Sequence, residues 1–276
     1  MRRALVTLGA AVAMLGAMME SASAQESVRL HAAGSLRSAL SEIAERYEAL
    51  TQTKIVAVFG ASGLLRDRLA GGETGEVFAS ANMAHPQSLG TAKKAGPTVL
   101  FARNRLCALA RADANVTSAT LLARMLDPAL KLGTSTPLAD PAGDYAFALF
   151  ARAEALVAGA RVRLEQKALK LTGGPGAPPP PPGRSVYAAN LVAGNADVFL
   201  AYCTAASEAK AEVPDLQIVD IPDALAVAAD YGLTLLDGAR PAAAQFAMFV
   251  LSPEGQRILQ RRGFEAPGLP LEEKVR

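Results

Sequence analysis

Two strand–turn–helix units stand one after the other near the start of the chain, and they narrow its fold more than any other feature. Residues 28–32 form an apolar strand-like run that enters Gly34-Ser35 and then a stretch, 36–50, with apolar positions Leu36, Leu40, Ile43, Ala44 and Tyr47 at helical spacing. The pattern recurs with a strand over 55–59, the turn Gly60-Ala61-Ser62-Gly63 and a short helix over 64–70. Each unit sets a serine hydroxyl and free backbone N–H groups at a helix N-terminus, where the macrodipole is positive. Two such ends aimed at one point make an anion cradle without a charged side chain. Gly34, Gly60 and Gly63 are expected to let those N–H groups come close to a ligand.

The alternation continues. Strands are expected at 77–80, 98–101, 105–110, 131–134, 198–202, 216–219 and 233–236, with an interruption at Arg103-Asn104. Helices are expected at 83–95, 117–126, 144–158, 186–193, 241–251 and 253–262, and 162–170 reads as mixed. Such a chain predicts an α/β protein with mainly parallel sheets. The one evident break is 173–183, where Pro178 to Pro182 form a stiff polyproline spacer, read as a surface loop ahead of Ser185.

The first residues, Met1-Arg2-Arg3, an apolar run over 4–19 and the small-x-small Ala22-Ser23-Ala24 together read as a cleavable secretory leader over 1–24. That places the mature chain outside the cytoplasm, and a periplasm fits. About 250 residues remain, enough for two lobes or one large α/β domain. The formal net charge is +2, and removing the leader brings the chain near neutrality, which argues against nucleic acid or a charged membrane surface as partner. Trp is absent, so a stacking platform for sugars or bases is poorly supplied. Two cysteines, Cys107 and Cys203, would either bridge in an oxidising compartment or stand as buried thiols on separate strands. No signal for an oligomer is present, so a monomer is expected.

Catalytic chemistry is sparse. The two histidines, His31 and His85, read as a half-buried strand residue and a solvated helix cap. There is no His-Glu-x-x-His, Cys-x-x-Cys or phosphate-loop pattern. Gly60-Ala61-Ser62-Gly63-Leu64 approaches a nucleophile elbow, but Leu64 stands where the last glycine belongs, and only His31 offers itself as a base. A binder is favoured over an enzyme, with a secreted serine hydrolase at Ser62 as the catalytic alternative.

Further stretches complete the pattern: Gly75-Glu76-Val77-Phe78-Ala79-Ser80-Ala81, Phe101-Ala102-Arg103-Asn104-Arg105-Leu106, Ala139-Asp140-Pro141-Ala142-Gly143-Asp144-Tyr145-Ala146 and Ala196-Asp197-Val198-Phe199-Leu200-Ala201-Tyr202. With the two serine turns and Ala247-Met248-Phe249-Val250-Leu251-Ser252-Pro253, their order resembles the periplasmic molybdate-binding proteins of ABC transporters, over roughly 28–267. The resemblance implies a two-lobed periplasmic-binding-protein fold with a hinge, each lobe a mainly parallel sheet flanked by helices. One lobe would comprise 28–104 and 222–267, the other 105–221. It implies capture of molybdate or tungstate, no cofactor, and an inner-membrane ABC permease as partner. The ligand residues it implies are Ser35 and Ser62, the backbone N–H of Ala142, the helix start at Ser185-Val186, and the Tyr202 phenol. Thr204 is read as continuing the tyrosine strand.

Molybdate and tungstate are fully deprotonated near neutrality and offer acceptors only, so a donor-only site suits them. Phosphate keeps a proton and would reward an acceptor such as Asp, which makes Asp144 a residue to check. The remaining alternative is a related binder for another oxyanion or a small organic anion, motivated by the segment 178–185.

Overall fold

A computed structural model describes residues 27–178 and 183–269. The expected leader and Pro179 to Pro182 lie outside the described residues.

The elements alternate largely as the periodicity predicts, with a strand over 169–172 and a helix over 203–212 that it does not foresee. β1 (Ser27–Ala33) passes through a 3₁₀ turn (Gly34–Leu36) into α1 (Arg37–Thr51), and β2 (Lys54–Gly60) leads to α2 (Ser62–Ala70). β3 (Val77–Ser80), α3 (Ala84–Thr91), β4 (Val99–Ala110), α4 (Leu121–Leu126), β5 (Leu132–Ser135), α5 (Pro141–Ala153), α6 (Ala160–Lys167) and β6 (Leu169–Thr172) follow. The chain closes with α7 (Val186–Val192), β7 (Val198–Tyr202), α8 (Cys203–Glu212), β8 (Gln217–Asp220), β9 (Ala228–Leu235), α9 (Pro241–Leu251) and α10 (Pro253–Arg261).

The strands form a curled sheet in the order β2-β1-β3-β9-β4-β7-β5-β6, with β8 also paired to β4. Pairing is parallel where helices make the crossovers, in β1 with β2 and β3, and in β5 with β6 and β7. It is antiparallel around the middle, where β9 and β4 run between the two halves. The expected mainly parallel character therefore belongs to the outer strands.

β4 is one continuous strand, not two segments broken at Arg103-Asn104. Its first part pairs with β9 as far as Arg105 opposite Ala228, and its second part pairs with β7 from Leu106 opposite Tyr202. Arg103 and Asn104 lie inside the ladder because their side chains find partners: Arg103 meets Asp230, and Asn104 bonds Thr204 and Tyr231. β9 is also longer than its apolar core suggests, because polar Asp230 is held by that ion pair at the sheet margin.

Helical periodicity is repaid by packing. Leu40, Ile43 and Tyr47 of α1 are buried, and the Tyr47 ring meets Phe246 of α9 edge-on at 5.3 Å. α1 ends at Gln52, which takes a left-handed conformation. The bridge between Cys107 and Cys203 is formed, with Cα atoms 4.9 Å apart and 96 residues between them. A loop of that length restricts the unfolded chain enough to contribute about 4–5 kcal/mol. Cys203 and Thr204 do not prolong the strand; they open α8, with Tyr202 as its N-cap.

Both histidines are more buried than their surroundings in sequence suggest. His31 is 2 % exposed and its Nε2 lies 3.0 Å from Glu73 Oε1. His85 is not a solvated cap: it is 7 % exposed, its Nε2 has no partner, and burial pushes its pKa down from 6.5 to about 4. Glu76 ties β1 to α9, accepting from the Arg29 N–H at 3.0 Å and from Arg240 Nε at 2.7 Å. The Arg240 guanidinium holds its carboxyl down at about 2.

These two groups fix an acid response. His85 takes up its proton in the unfolded chain near pH 6.5 but in the folded chain only near 4, so stability falls as pH drops through that window, by roughly 3 kcal/mol at most. Glu76 adds a further loss as pH falls from 4.5 towards 2, because the unfolded carboxyl protonates first. Urea midpoints measured from pH 7 to pH 4 should fall steadily, and His85→Phe should flatten the upper part of that slope. An unchanged slope in the variant would assign the loss to other groups.

Candidate ligand cleft

The ends of β1, β2 and β3 and the starts of the helices that follow face the ends of β6 and β7 and the start of α7 across a cleft of about 790 Å³. This is where ligands collect in sheets of this kind, beyond the carboxyl ends of strands. Ser35, Ser62, Val186 and Tyr202 all line it, so four of the five expected ligand residues meet around one space from widely separated parts of the chain.

Ser62 is fully buried, and its Oγ accepts the N–H of Ala81 at 3.1 Å. That bond fills a lone pair and leaves the hydroxyl proton to be donated elsewhere. Ser35 Oγ lies 3.0 Å from the Tyr231 hydroxyl. Tyr202 is 1 % exposed, and its phenol reaches the Ala81 carbonyl only at 3.5 Å, a long bond that an anion can displace. At the start of α7 the Ser185 N–H is taken by Glu212 at 2.6 Å and the Ala188 N–H by Ser185 Oγ at 3.3 Å. The Val186 N–H belongs to the first turn of that helix, where no intrahelical acceptor exists.

Ala142 is the exception. It is wholly buried and does not line the cleft, and its N–H donates to Asp140 Oδ1 at 3.1 Å. The donor expected there is already satisfied by the N-cap of its own helix. What this stretch turns towards the cleft is the Asp140 carboxyl, whose pKa burial pushes up. Asp144, the acid singled out from the sequence, instead accepts the Leu138 N–H at 2.7 Å. Asp140 was legible: Asp before Pro141 is a cap followed by proline at the first helical position.

Charge is distributed around the rim. The Arg37 guanidinium stacks over the Phe59 ring at 4.7 Å and forms no ion pair among the described residues, so its charge is available at the mouth. Arg184 is neutralised by Glu212, while Glu208 adds an acidic side chain. Pro178, at the start of the polyproline segment, also lines the cleft.

The histidine expected as a base for Ser62 is not placed beside it. His31 does not line the cleft and its Nε2 faces Glu73, while the Ser62 hydroxyl oxygen is occupied by a backbone N–H.

The two halves touch beside the cleft. The Gly63 N–H donates to the Ala139 carbonyl at 2.8 Å, and Tyr145 of α5 reaches the Ala81 carbonyl at 3.3 Å. A Cβ on Gly63 would lie 2.2 Å from the Leu138 carbonyl oxygen and 2.7 Å from that of Ala139. Gly63 is thus demanded by contact between the halves, whereas at Gly34 and Gly60 a Cβ would meet only ordinary contacts of 3.9 and 3.5 Å. Leu138 accepts a left-handed φ of 68° to present its carbonyl there. Gly63→Ala is expected to hold the halves apart. Small-angle scattering should show a larger radius of gyration for the variant than for the parent chain, with the thermal midpoint little changed. Equal radii would mean that the contact does not set the closed shape.

Comparison with known proteins agrees with this architecture. A family description, "Bacterial extracellular solute-binding protein", matches residues 28–265. An uncharacterised protein of Pasteurella multocida is 35% identical over 207 residues, 75% of this chain and 86% of its own length. The periplasmic molybdate-binding protein of Azotobacter vinelandii superposes with a TM-score of 0.70 at 18% identity, covering 88% of this chain and 100% of that one. The sulfate-binding protein of Mycobacterium tuberculosis superposes with a TM-score of 0.72 at 16% identity, covering 88% and 87% of the two chains. The chain belongs to the bacterial extracellular solute-binding proteins.

Proposed function

We propose that this protein captures a small oxyanion outside the cytoplasm, in the periplasm, and delivers it to an inner-membrane ABC importer, with molybdate and tungstate as its ligands. The observation that carries this reading is the convergence of Ser35, Ser62, Val186 and Tyr202 on one cleft from both halves of the sheet. Ser62 has its hydroxyl proton available to donate, since its bond to Ala81 uses the oxygen as an acceptor. Helix-start N–H groups, hydroxyls and a phenol can replace the water around a dianion through charge-assisted bonds. The lobes, 28–104 with 222–267 and 105–221, would close on the ligand about the junction in β4, and the closed form would be what the permease recognises.

A second reading is favoured by one feature. A tetrahedral oxyanion fills only part of a cleft of about 790 Å³, a size typical of sites for larger organic ligands. The Asp140 carboxyl at its wall suits a ligand that brings its own proton or hydroxyl, such as hydrogen phosphate or an organic phosphate.

Calorimetric titration of the chain lacking 1–24 separates the two. On the first reading molybdate and tungstate bind tightly, sulfate and phosphate bind weakly, and Ser62→Ala costs about 10- to 100-fold as one charge-assisted bond is lost. Asp140→Asn should then leave molybdate affinity unchanged or raise it. On the second reading a phosphate ester binds best and Asp140→Asn weakens it. Absence of binding to any oxyanion would sink both.

A further inference from the structure

Behind Ser35, where β4 changes partners, a run of polar side chains is arranged head to tail. The Asn104 carbonyl oxygen accepts the Arg105 backbone N–H at 2.8 Å, which fixes the orientation of the amide. Its nitrogen therefore faces Thr204 Oγ1 at 2.9 Å and the Tyr231 hydroxyl at 3.5 Å. An amide nitrogen has only protons to give, so the Tyr231 oxygen accepts. The longer bond contributes little strength, but it biases direction. The Tyr202 side chain bonds the same hydroxyl in the sense that makes its oxygen an acceptor, so the Tyr231 proton is directed to Ser35 Oγ at 3.0 Å. Ser35 then accepts from Tyr231, and its own proton is turned to the cleft that it lines.

Solvent is kept from the Tyr231 and Asn104 end of this arrangement. Tyr231 is fully buried and Asn104 is 7 % exposed. The Tyr231 ring is held by Phe264 at 5.5 Å, Tyr202 at 5.6 Å and Phe101 at 6.4 Å. A hydroxyl that already accepts a hydrogen bond is a stronger donor, because successive bonds polarise one another in a low-dielectric interior. Ser62 is prepared in the same sense by a different partner, the Ala81 N–H. Both serines therefore present protons to the cleft, and both are held in that sense by protein donors behind them.

We infer that Tyr231, oriented by Asn104, is a positioning residue that fixes the Ser35 hydroxyl as a donor and so selects anions that offer acceptors only. Tyr231 reaches the ligand through Ser35, which it bonds at 3.0 Å, and it also adjoins the Tyr202 phenol; Asn104 reaches the ligand through Tyr231. The inference rests on Ser35 being a ligand donor, as proposed above. It applies to any acceptor-only oxyanion in this cleft.

The test is calorimetric titration of the parent chain, Ser35→Ala, Tyr231→Phe and the double variant with molybdate, sulfate and phosphate. Tyr231→Phe should weaken molybdate about three- to tenfold, the worth of one hydrogen bond. Phosphate should weaken less, since a free Ser35 can turn its lone pair to the anion's proton, so the molybdate-to-phosphate affinity ratio falls. In the double variant the penalties should be clearly less than multiplicative, because Tyr231 acts mainly through Ser35. Asn104→Leu should lower the same ratio, and it serves if Tyr231→Phe does not fold.

Molybdate binding unchanged in Tyr231→Phe, or penalties that multiply in the double variant, would overturn the inference and leave the oxyanion reading standing. Unchanged binding in Ser35→Ala would also overturn it, while Ser62 still carried that reading. A parent chain that binds none of the three anions would overturn both.

Discussion

Strand β4 bears the constraint on which the rest of the structure depends. Its backbone hydrogen bonds go to β9 up to Arg105 and to β7 from Leu106 onward. A single continuous ladder thus belongs to both halves of the sheet, and neither half can be placed without it. Interrupting β4 would leave buried N–H and C=O groups without partners on both sides, a heavy cost in an interior. The bridge from Cys107 to Cys203 lies two residues past that change of partner and ties β4 to the residue after Tyr202. The cleft tyrosine is therefore anchored to the β4 junction by a covalent bond as well as by its ladder.

Chemistry gathers at that same junction for a physical reason. Antiparallel β4 and β9 bring Asn104 and Tyr231 side by side, and β1 delivers Ser35 to the same level from the other direction. Polar side chains buried where two halves meet must satisfy one another, and satisfied chains of hydrogen bonds have a direction. Direction is what an anion site needs, since a serine hydroxyl can present either a proton or a lone pair. Ser62 gains its direction from a backbone N–H and Ser35 from a side chain.

The cleft is not purely a set of donors. Asp140 caps α5 and shows its carboxyl to the cavity, and Arg37 waits at the rim on Phe59 without an acidic partner among the described residues. A capping acid satisfies helix N–H groups that a ligand would otherwise use, which is why Ala142 has nothing left to offer. Arg37 and Asp140 thus stand on opposite sides of the cleft. Contact between Gly63 and the Leu138-Ala139 backbone closes the wall beside it.

Much of this was legible in the chain. Repeated strand–Gly/Ser–helix units, helical spacing in α1 and capping residues before helices are local patterns, and local patterns survive because backbone hydrogen bonding is local. Ser35 and Ser62 stand out for that reason, whereas Val186 and Tyr202 are named only through the resemblance to a known family. Tertiary structure alone decided the rest. Asn104 and Tyr231 are 127 residues apart, and nothing near either indicates that they share a hydrogen bond. Gly63 looks like a glycine for a ligand until the Leu138 carbonyl is seen to occupy the space a Cβ would need. His85 looks like an exposed cap until α3 is packed and its ring is shut away from water. Antiparallel pairing at the centre of the sheet, and the halves that meet on β4, follow from which distant strands bury one another's apolar faces, and no short stretch of sequence carries that information.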